Sequence, residues 1–503
     1  MIKSQIKLEK AQLLLLFLTI ILLPFGAIPH AIQTIGPVAS RYTLYLGLII
    51  FIFEILIYKN YSRRYFIFLG CAILIALMNL ALGVFTYPYY DQINNKPVEK
   101  LVNLLNILPY STSYDYILPF WLFFKGAKNV LLDISIYFVF PYQVYFLFSK
   151  NWELGFNYIK KAFLVLAIIL GAYSLIEIPY LLFDANISKK ILSITTPLYT
   201  DVSGAYGWWP PLLWKNQLRS LCPEPPHFSI IAAICEAFLI YEFIKGTKWF
   251  RSGLFSIFFV YFTVMIFLSR ARTALGLAGG EIFLFIIFLV YLKDKDYIKR
   301  MIGLLFLVAI SFFISVFPTY LNPISNEHNS YKEIMENYIE ENITSVAKNN
   351  IRSNGTRTFM AKACFEVGKD HFIIGVGKDL KDGYIVDYIQ KQNEQDPEIK
   401  LWMDGINKKG ILQSPFQTMN QFLLIFAENG IIGLLFFFFP VFLSCSLIWN
   451  SKTRFMCLRR DVLIIILLSQ IAAMFSAVGW ITYPLFLGLL YASFRVENDA
   501  SPK

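Results

Sequence analysis

Twelve stretches of this chain are apolar for long enough to cross about 30 Å of hydrocarbon as helix, and nothing else in the sequence limits the fold so strongly. They run at about 11–29, 42–58, 65–86, 129–149, 160–183, 228–244, 249–268, 273–292, 301–318, 421–448, 461–477 and 480–494. With 57% hydrophobic and only 16% charged residues, the chain is too apolar for an ordinary soluble domain. The predicted fold class is all-α, a polytopic integral membrane protein of about twelve spans. One further apolar stretch, YDYILPFWLFF at 114–124, is too short to cross and is expected to be interfacial or re-entrant. Lys3, Lys7 and Lys10 precede the first run and no small-residue cleavage site follows it, so an uncleaved first span is expected.

Charge orients the spans. Short alternating loops and the two ends carry 22 of the 45 Lys and Arg residues, and the positive-inside rule puts that side in the cytoplasm. Three organisational blocks follow: 1–318 with nine spans and a cytoplasmic N-terminus, 319–420 as one large periplasmic loop, and 421–503 with three spans and a cytoplasmic C-terminus. The loop carries 12 basic and 14 acidic residues over 319–419, so nucleic acid is not an expected partner. The net charge of +11 lies against the cytoplasmic leaflet, where topology and anionic lipid account for it. Within the loop, Tyr331, Met335, Tyr338 and Ile339 mark one amphipathic helix, and Met360, Cys364, Val367 and His371 mark a second, ended by the glycines at 375 and 377. No internal repeat or Pro/Gly/Ser linker divides the chain. Six scattered cysteines, without a C-x-x-C pair, indicate neither a disulfide framework nor a zinc site.

Against this apolar background a few polar residues stand out. Arg270 and Arg272 in LSRART fall between two long apolar runs on the outer side, among small residues and at the start of a helix whose dipole favours an anion. Snorkelling to headgroups is the bland alternative. RSLCPEPPHFS presents Arg219, Glu224 and His227 from a proline-stiffened turn, where Glu224 could instead pair with Arg219 or cap the next helix. Arg357 sits in the first turn of the second loop helix. MNQFLLIFAENGIIGLL buries Glu428 about two turns into an apolar helix, with Gly430 and Gly433 allowing close packing. His371 reads as packing, while His30 and His328 stand apart from the other polar candidates. The aromatic AYGWWPPLLW at 205–214 reads as an interfacial anchor, or as a sugar-stacking surface.

LSRART, RSLCPEPPHF, the outer GTRTF and HFIIGVG, and the re-entry MNQFLLIFAENGIIG, in this order on one face, resemble the O-antigen polymerase and O-antigen ligase superfamily over roughly 210–440. The resemblance implies a GT-C-like fold and metal-independent glycosyl transfer at the outer face of the bacterial cytoplasmic (inner) membrane, with no cofactor. Lipid-linked oligosaccharide (polyprenyl diphosphate) would be both donor and acceptor, alongside membrane lipids, with a chain-length regulator and a flippase as further partners. Arg272 and Arg357 match the family arginines, with Arg270 and Arg219 as helpers. Arginine suits a diphosphate because it stays charged and meets phosphate oxygens bidentately. In ligases the re-entry motif opens with His-Asn; here it reads Met419-Asn420, and a thioether takes no proton. Glu224 and His227 become the acid–base candidates, with Asn420 and Glu428 in support. The missing His and the Glu-Pro turn favour a polymerase of repeat units over a ligase to lipid A-core or protein, or over a transporter of lipid-linked glycans.

Overall fold

A computed structural model describes residues 2–25, 39–59, 61–93, 98–99, 103, 114–199, 217–246, 253–292, 295–321, 336, 339–340, 354–412, 414–450, 457–477 and 479–500. The fold is all-α, with no strand among these residues. In chain order the helices are α1 (Ile2–Ile21), α2 (Ala39–Tyr58), α3 (Arg63–Phe85), α4 (Tyr114–Ile134), α5 (Phe140–Phe148), α6 (Trp152–Phe183), α7 (Asn186–Tyr199), α8 (Pro225–Lys245), α9 (Leu254–Leu268), α10 (Arg272–Leu292), α11 (Lys295–Leu321), α12 (Asn354–Asp370), α13 (Lys381–Gln392), α14 (Pro397–Lys409), α15 (Gln421–Asn450), α16 (Leu458–Ala473) and α17 (Thr482–Ala500). Each expected stretch overlaps at least one of these helices, that at 129–149 running over the end of α4, a π-helical turn and α5. Among the described residues, eight stretches are long and apolar enough to cross a membrane, and α9 and Thr482–Phe494 are shorter apolar helices.

The bundle is built around α8, which is almost entirely buried, with α10 and α16 packed on it and on each other. By contrast, most residues of α15 over 421–448 are partly or fully exposed. One set of polar side chains buried between helices is paired: Gln143 donates to Gln12 Oε1 at 3.0 Å, and Gln12 donates to Glu54 at 2.5 Å. Such contacts fix helix register where apolar packing alone is permissive.

A second apolar core lies where α12 and α13 meet the ends of α3 and α4, gathering Leu80, Val84, Leu118, Cys364, Val367 and Ile385. Met360, Cys364 and Val367 are buried as their spacing predicts. Helices α13 and α14 were not foreseen, because their sequences are polar and short. α14 is started by Asp396, whose carboxylate accepts from the N–H groups of Glu398 and Ile399.

Two local expectations are corrected. The 114–124 stretch is not a separate re-entrant piece: it forms the first turns of α4, which continues through a π-helical turn, Ser135–Val139, into α5. The π-turn absorbs one extra residue without breaking the hydrogen-bonded column. The proline-stiffened turn does not run through Pro225 and Pro226 either. They occupy the first positions of α8, where a missing N–H costs nothing and the fixed φ suits a helix. The first expected loop helix lies mostly outside the described residues, as do 205–214, His30 and His328.

Candidate functional site

The site begins where α9 stops. Leu268 ends the helix, and Arg270 takes φ +45, a left-handed conformation that turns the chain directly into α10 at Arg272. Ser269 locks this corner by donating from Oγ to Ile266 O at 2.7 Å while accepting from the Ala271 N–H. Leu218 N–H donates to Leu268 O at 3.0 Å, which seats the Arg219 turn against the same corner.

Arg219 is fully enclosed in that turn. Its guanidinium donates to the carbonyls of Cys222 and Pro223 and to Thr196 Oγ1, and stands over the Tyr199 ring. The backbone N–H groups of Arg219 and Ser220 both reach the Glu177 carboxylate, the latter at 2.7 Å. Arg219 therefore shapes the loop that carries Glu224, with its charge facing Glu177 inside the protein. Glu177 drew no notice in the sequence; a carboxylate in an apolar span was the available signal.

Arg272 is differently placed. Its Nη1 donates to Asn354 Oδ1 at 2.6 Å, so the first residue of α12 is held against the first residue of α10. Arg357 lies one turn along α12 from Asn354, on the same face. Its Nε is buried and has no hydrogen-bond partner among the described residues. Next along, Thr356 Oγ1 donates to Asp396 at 3.0 Å, tying the start of α12 to the start of α14.

Glu224 precedes α8 in extended conformation and makes no side-chain cap bond. Its carboxyl reaches the surface but is recessed among protein atoms. That desolvation raises its pKa above the ordinary carboxylate value, and the Arg357 charge opposes the rise. An electrostatic link thus joins Glu224 to Arg357. Segments far apart in sequence are linked pairwise, 272 with 354 by a hydrogen bond and 224 with 357 by charge.

The remaining sequence candidates sit elsewhere. His227 lies within hydrogen-bond distance of Leu23 O, at 3.1 Å from Nε2, and its ring stands edge-on to Trp480. A carbonyl can only accept, so Nε2 carries the proton and Nδ1 is the basic nitrogen. Asn420 caps α15, its Oδ1 accepting from the N–H groups of Phe422 and Leu423 at 3.0 Å each. Met419 packs against the second core.

Glu428 belongs to a separate buried network. Its carboxylate accepts from Lys378 Nζ at 2.9 Å and from the Asp379 N–H at 3.2 Å, and Lys378 also pairs with Asp133 at 3.0 Å. The Lys378 ammonium is held well above its ordinary pKa: burial acts to lower it, but Glu428, Asp133 and Asp379 outweigh burial. The backbone explains how the HFIIGVG loop reaches so deep. Gly430 takes φ +61 and ψ −161 and breaks α15, exposing carbonyls and N–H groups that the loop then satisfies. Val376 and Gly377 N–H donate to the carbonyls of Ala427 and Glu428, while Ile431 N–H donates to Phe372 O. Gly430 allows the close approach expected of it, to the Ile373 backbone, and also breaks the helix, which its position inside an apolar run concealed.

Residues 257–438 match the family model described as O-antigen ligase, which supports the O-antigen ligase/polymerase superfamily. No curated protein and no solved structure matches the chain. The matched stretch includes Arg270, Arg272, Arg357 and Glu428 and leaves out Arg219, Glu224 and His227.

Proposed function

We propose that the protein is a membrane glycosyltransferase that polymerises polyprenyl-diphosphate-linked oligosaccharide repeat units at the periplasmic face of the inner membrane. The family match supports O-antigen ligase/polymerase-type activity in an integral membrane protein. The single observation supporting the finer reading is the bond from Arg272 to Asn354, which holds the helix that carries Arg357 one turn further on against α10, with the Arg357 charge acting on Glu224.

In this reaction the acceptor hydroxyl of one lipid-linked unit attacks the anomeric carbon of the growing chain. The new C–O bond forms as the bond to the lipid diphosphate breaks, and the leaving diphosphate gains a negative charge. Arg272 and Arg357 stabilise that charge from fixed positions in a partly desolvated site, where such stabilisation is largest. Glu224 accepts the hydroxyl proton; its raised pKa suits a base that must hold a proton for part of the cycle. Arg219 acts on this geometry through the loop it pins, Arg270 through the corner it turns, and Asn420 and Glu428 through the backbone of α15.

Ligation to lipid A-core or protein is the second reading, and the description of the matched family favours it. Met419 at the position where ligases carry His favours polymerisation. Deletion in the producing cell separates the two: a polymerase mutant keeps surface glycan of a single repeat unit, and a ligase mutant loses attached glycan altogether.

A further inference from the structure

Helix α7 has three faces. Spaced three or four residues apart, Ile187, Ile191, Ile194 and Leu198 fall on one stripe, and all four are exposed, Ile187 by 75% and Ile194 by 70%. Ser188, Leu192, Thr196 and Tyr199 form a second stripe, buried against the protein. The third face carries Lys189, Lys190 and Ser193, all exposed. An apolar ridge of this length is seldom left to water, and what covers it follows from where α7 lies.

In α6 the charges of Glu153, Lys160 and Lys161 belong to the start of the helix, and from Ala162 to Phe183 only Glu177 is charged. That stretch is about 33 Å long, close to the thickness of the hydrocarbon layer. Asp184 then takes φ +49 and turns the chain. Instead of leaving the membrane, α7 folds back along α6: the Tyr173 hydroxyl lies 2.9 Å from Thr195 Oγ1 and 2.8 Å from the Tyr199 hydroxyl. Tyr173 is about 15 Å along α6 from Phe183, so α7 starts at the membrane surface and ends inside the hydrocarbon layer. Its chemistry follows that depth. Lys189 and Lys190 lie near the start, and no charge follows them as far as Tyr199. Ser193 and Thr195 donate to Lys189 O and Ile191 O at 2.8 and 3.0 Å, as hydroxyls in hydrocarbon must.

The buried stripe of α7 holds the Arg219 turn. Thr196 Oγ1 accepts from Arg219 Nη2 at 3.1 Å, and the guanidinium stands over the Tyr199 ring. Ser220 Oγ donates to Leu170 O at 2.9 Å, so the turn and α7 lean on the same part of α6. We propose that α7 is a re-entrant helix whose Ile187, Ile191, Ile194 and Leu198 ridge is covered by phospholipid acyl chains, and that this lipid seat keeps Thr196 and Tyr199 on Arg219. A protruding ridge, unlike a groove, fits the fluid chains of the bilayer better than a single bound molecule. The inference concerns the seat of the turn that leads to Glu224 and stands whether or not the chain transfers glycans.

The test places the purified full-length chain in nanodiscs containing a phosphatidylcholine with a diazirine midway along one acyl chain, followed by irradiation, digestion and mass spectrometry. Lipid adducts are expected on Ile194 and Leu198, as on the exposed Leu175 of α6, while hydroxyl radicals generated in the water should oxidise the exposed Leu401 of α14 and spare Ile194. Oxidation of the ridge from water overturns the lipid seat, and so does a ridge free of both labels, as contact with a second copy of the chain would leave it. The hold on Arg219 is read from alkylation of Cys222, buried in that turn, in wild type and in Ile191→Glu/Ile194→Glu. Carboxylates at membrane depth should displace α7, and Cys222 should then react about ten-fold faster, while Cys364 in the second core stays protected. An unchanged Cys222 rate overturns the hold. Where Cys364 reacts as well, the double variant has unfolded, and the milder Ile194→Ser is read in the same way.

Discussion

Arg272 and Asn354 are separated by 82 residues of chain, yet the arginine Nη1 donates to the asparagine Oδ1 at 2.6 Å. This bond joins the membrane helix α10 to the first residue of α12 and thereby sets where Arg357 stands.

Asn354→Ala removes the acceptor. A hydrogen bond from a charged donor contributes about 1.5–3 kcal/mol, so kcat/KM should fall roughly ten-fold or more while the protein stays folded. Asn354→Asp keeps the acceptor but adds a negative charge beside the diphosphate, and its effect should appear mainly as a raised KM. Steady-state kinetics on both variants, with melting temperature as the control for folding, checks this.

Glu224 sets the acid limb of the pH profile. Its native carboxyl is raised, so as a base it is inactivated by protonation, and activity should fall as pH drops through a value above the ordinary carboxylate range. Arg357 opposes the rise, so Arg357→Gln should move that limb to still higher pH in whatever activity remains. For stability the sign is reversed. The folded state binds this proton more tightly than the unfolded state does, so the contribution is present below the unfolded pKa and is lost as pH rises through the native one. A profile of kcat/KM against pH for wild type, Arg357→Gln and Glu224→Gln measures the first effect.

Lys378 joins the buried Glu428 and the half-exposed Asp133, with 15% and 3% exposure at Lys378 and Glu428. Lys378→Met leaves Glu428 buried without its partner and should cost about 3 kcal/mol or more. Adding Glu428→Gln should restore most of that loss, because the uncompensated charge is then gone. Thermal unfolding of both single variants and the double variant gives the coupling directly.

At the break in α15, a Cβ on Gly430 would come within 2.4 Å of Ile373 O, and one on Gly375 within 2.5 Å of Asn429 N, both at positive φ. Gly430→Ala therefore combines a clash with a conformation almost confined to glycine, at a cost of about 1–3 kcal/mol before the clash is counted. Release of the HFIIGVG loop should show as faster proteolysis within 371–380, whereas Gly276→Ala, which meets nothing within 4 Å, should leave the digestion pattern unchanged.

What was legible in the sequence follows from the physics that each feature obeys. Membrane helices announce themselves because nearly every lipid-facing residue must be apolar, so 421–448 or 160–183 can be read without a fold. The α12 stripe of Met360, Cys364 and Val367 was readable for the related reason that one face meets a core. Pairings between distant segments leave no such local trace. Nothing near Asn354 names Arg272, and nothing near Glu428 names Lys378 or Asp133. Arg219 and Arg272 look alike in sequence, yet the guanidinium of one turns back onto the carbonyls of Cys222 and Pro223 and that of the other reaches the start of α12; only the folded chain separates a structural arginine from a candidate for substrate.

The most direct measurement uses the purified protein with a synthetic polyprenyl-diphosphate oligosaccharide, comparing wild type with Arg272→Ala and Arg357→Ala, each with and without EDTA. Both variants should lose nearly all glycosyl transfer while remaining folded, and the wild type should keep its activity in EDTA. Full activity in Arg357→Ala would contradict a shared diphosphate grip by the two arginines, and EDTA-sensitive transfer would contradict its independence of metal.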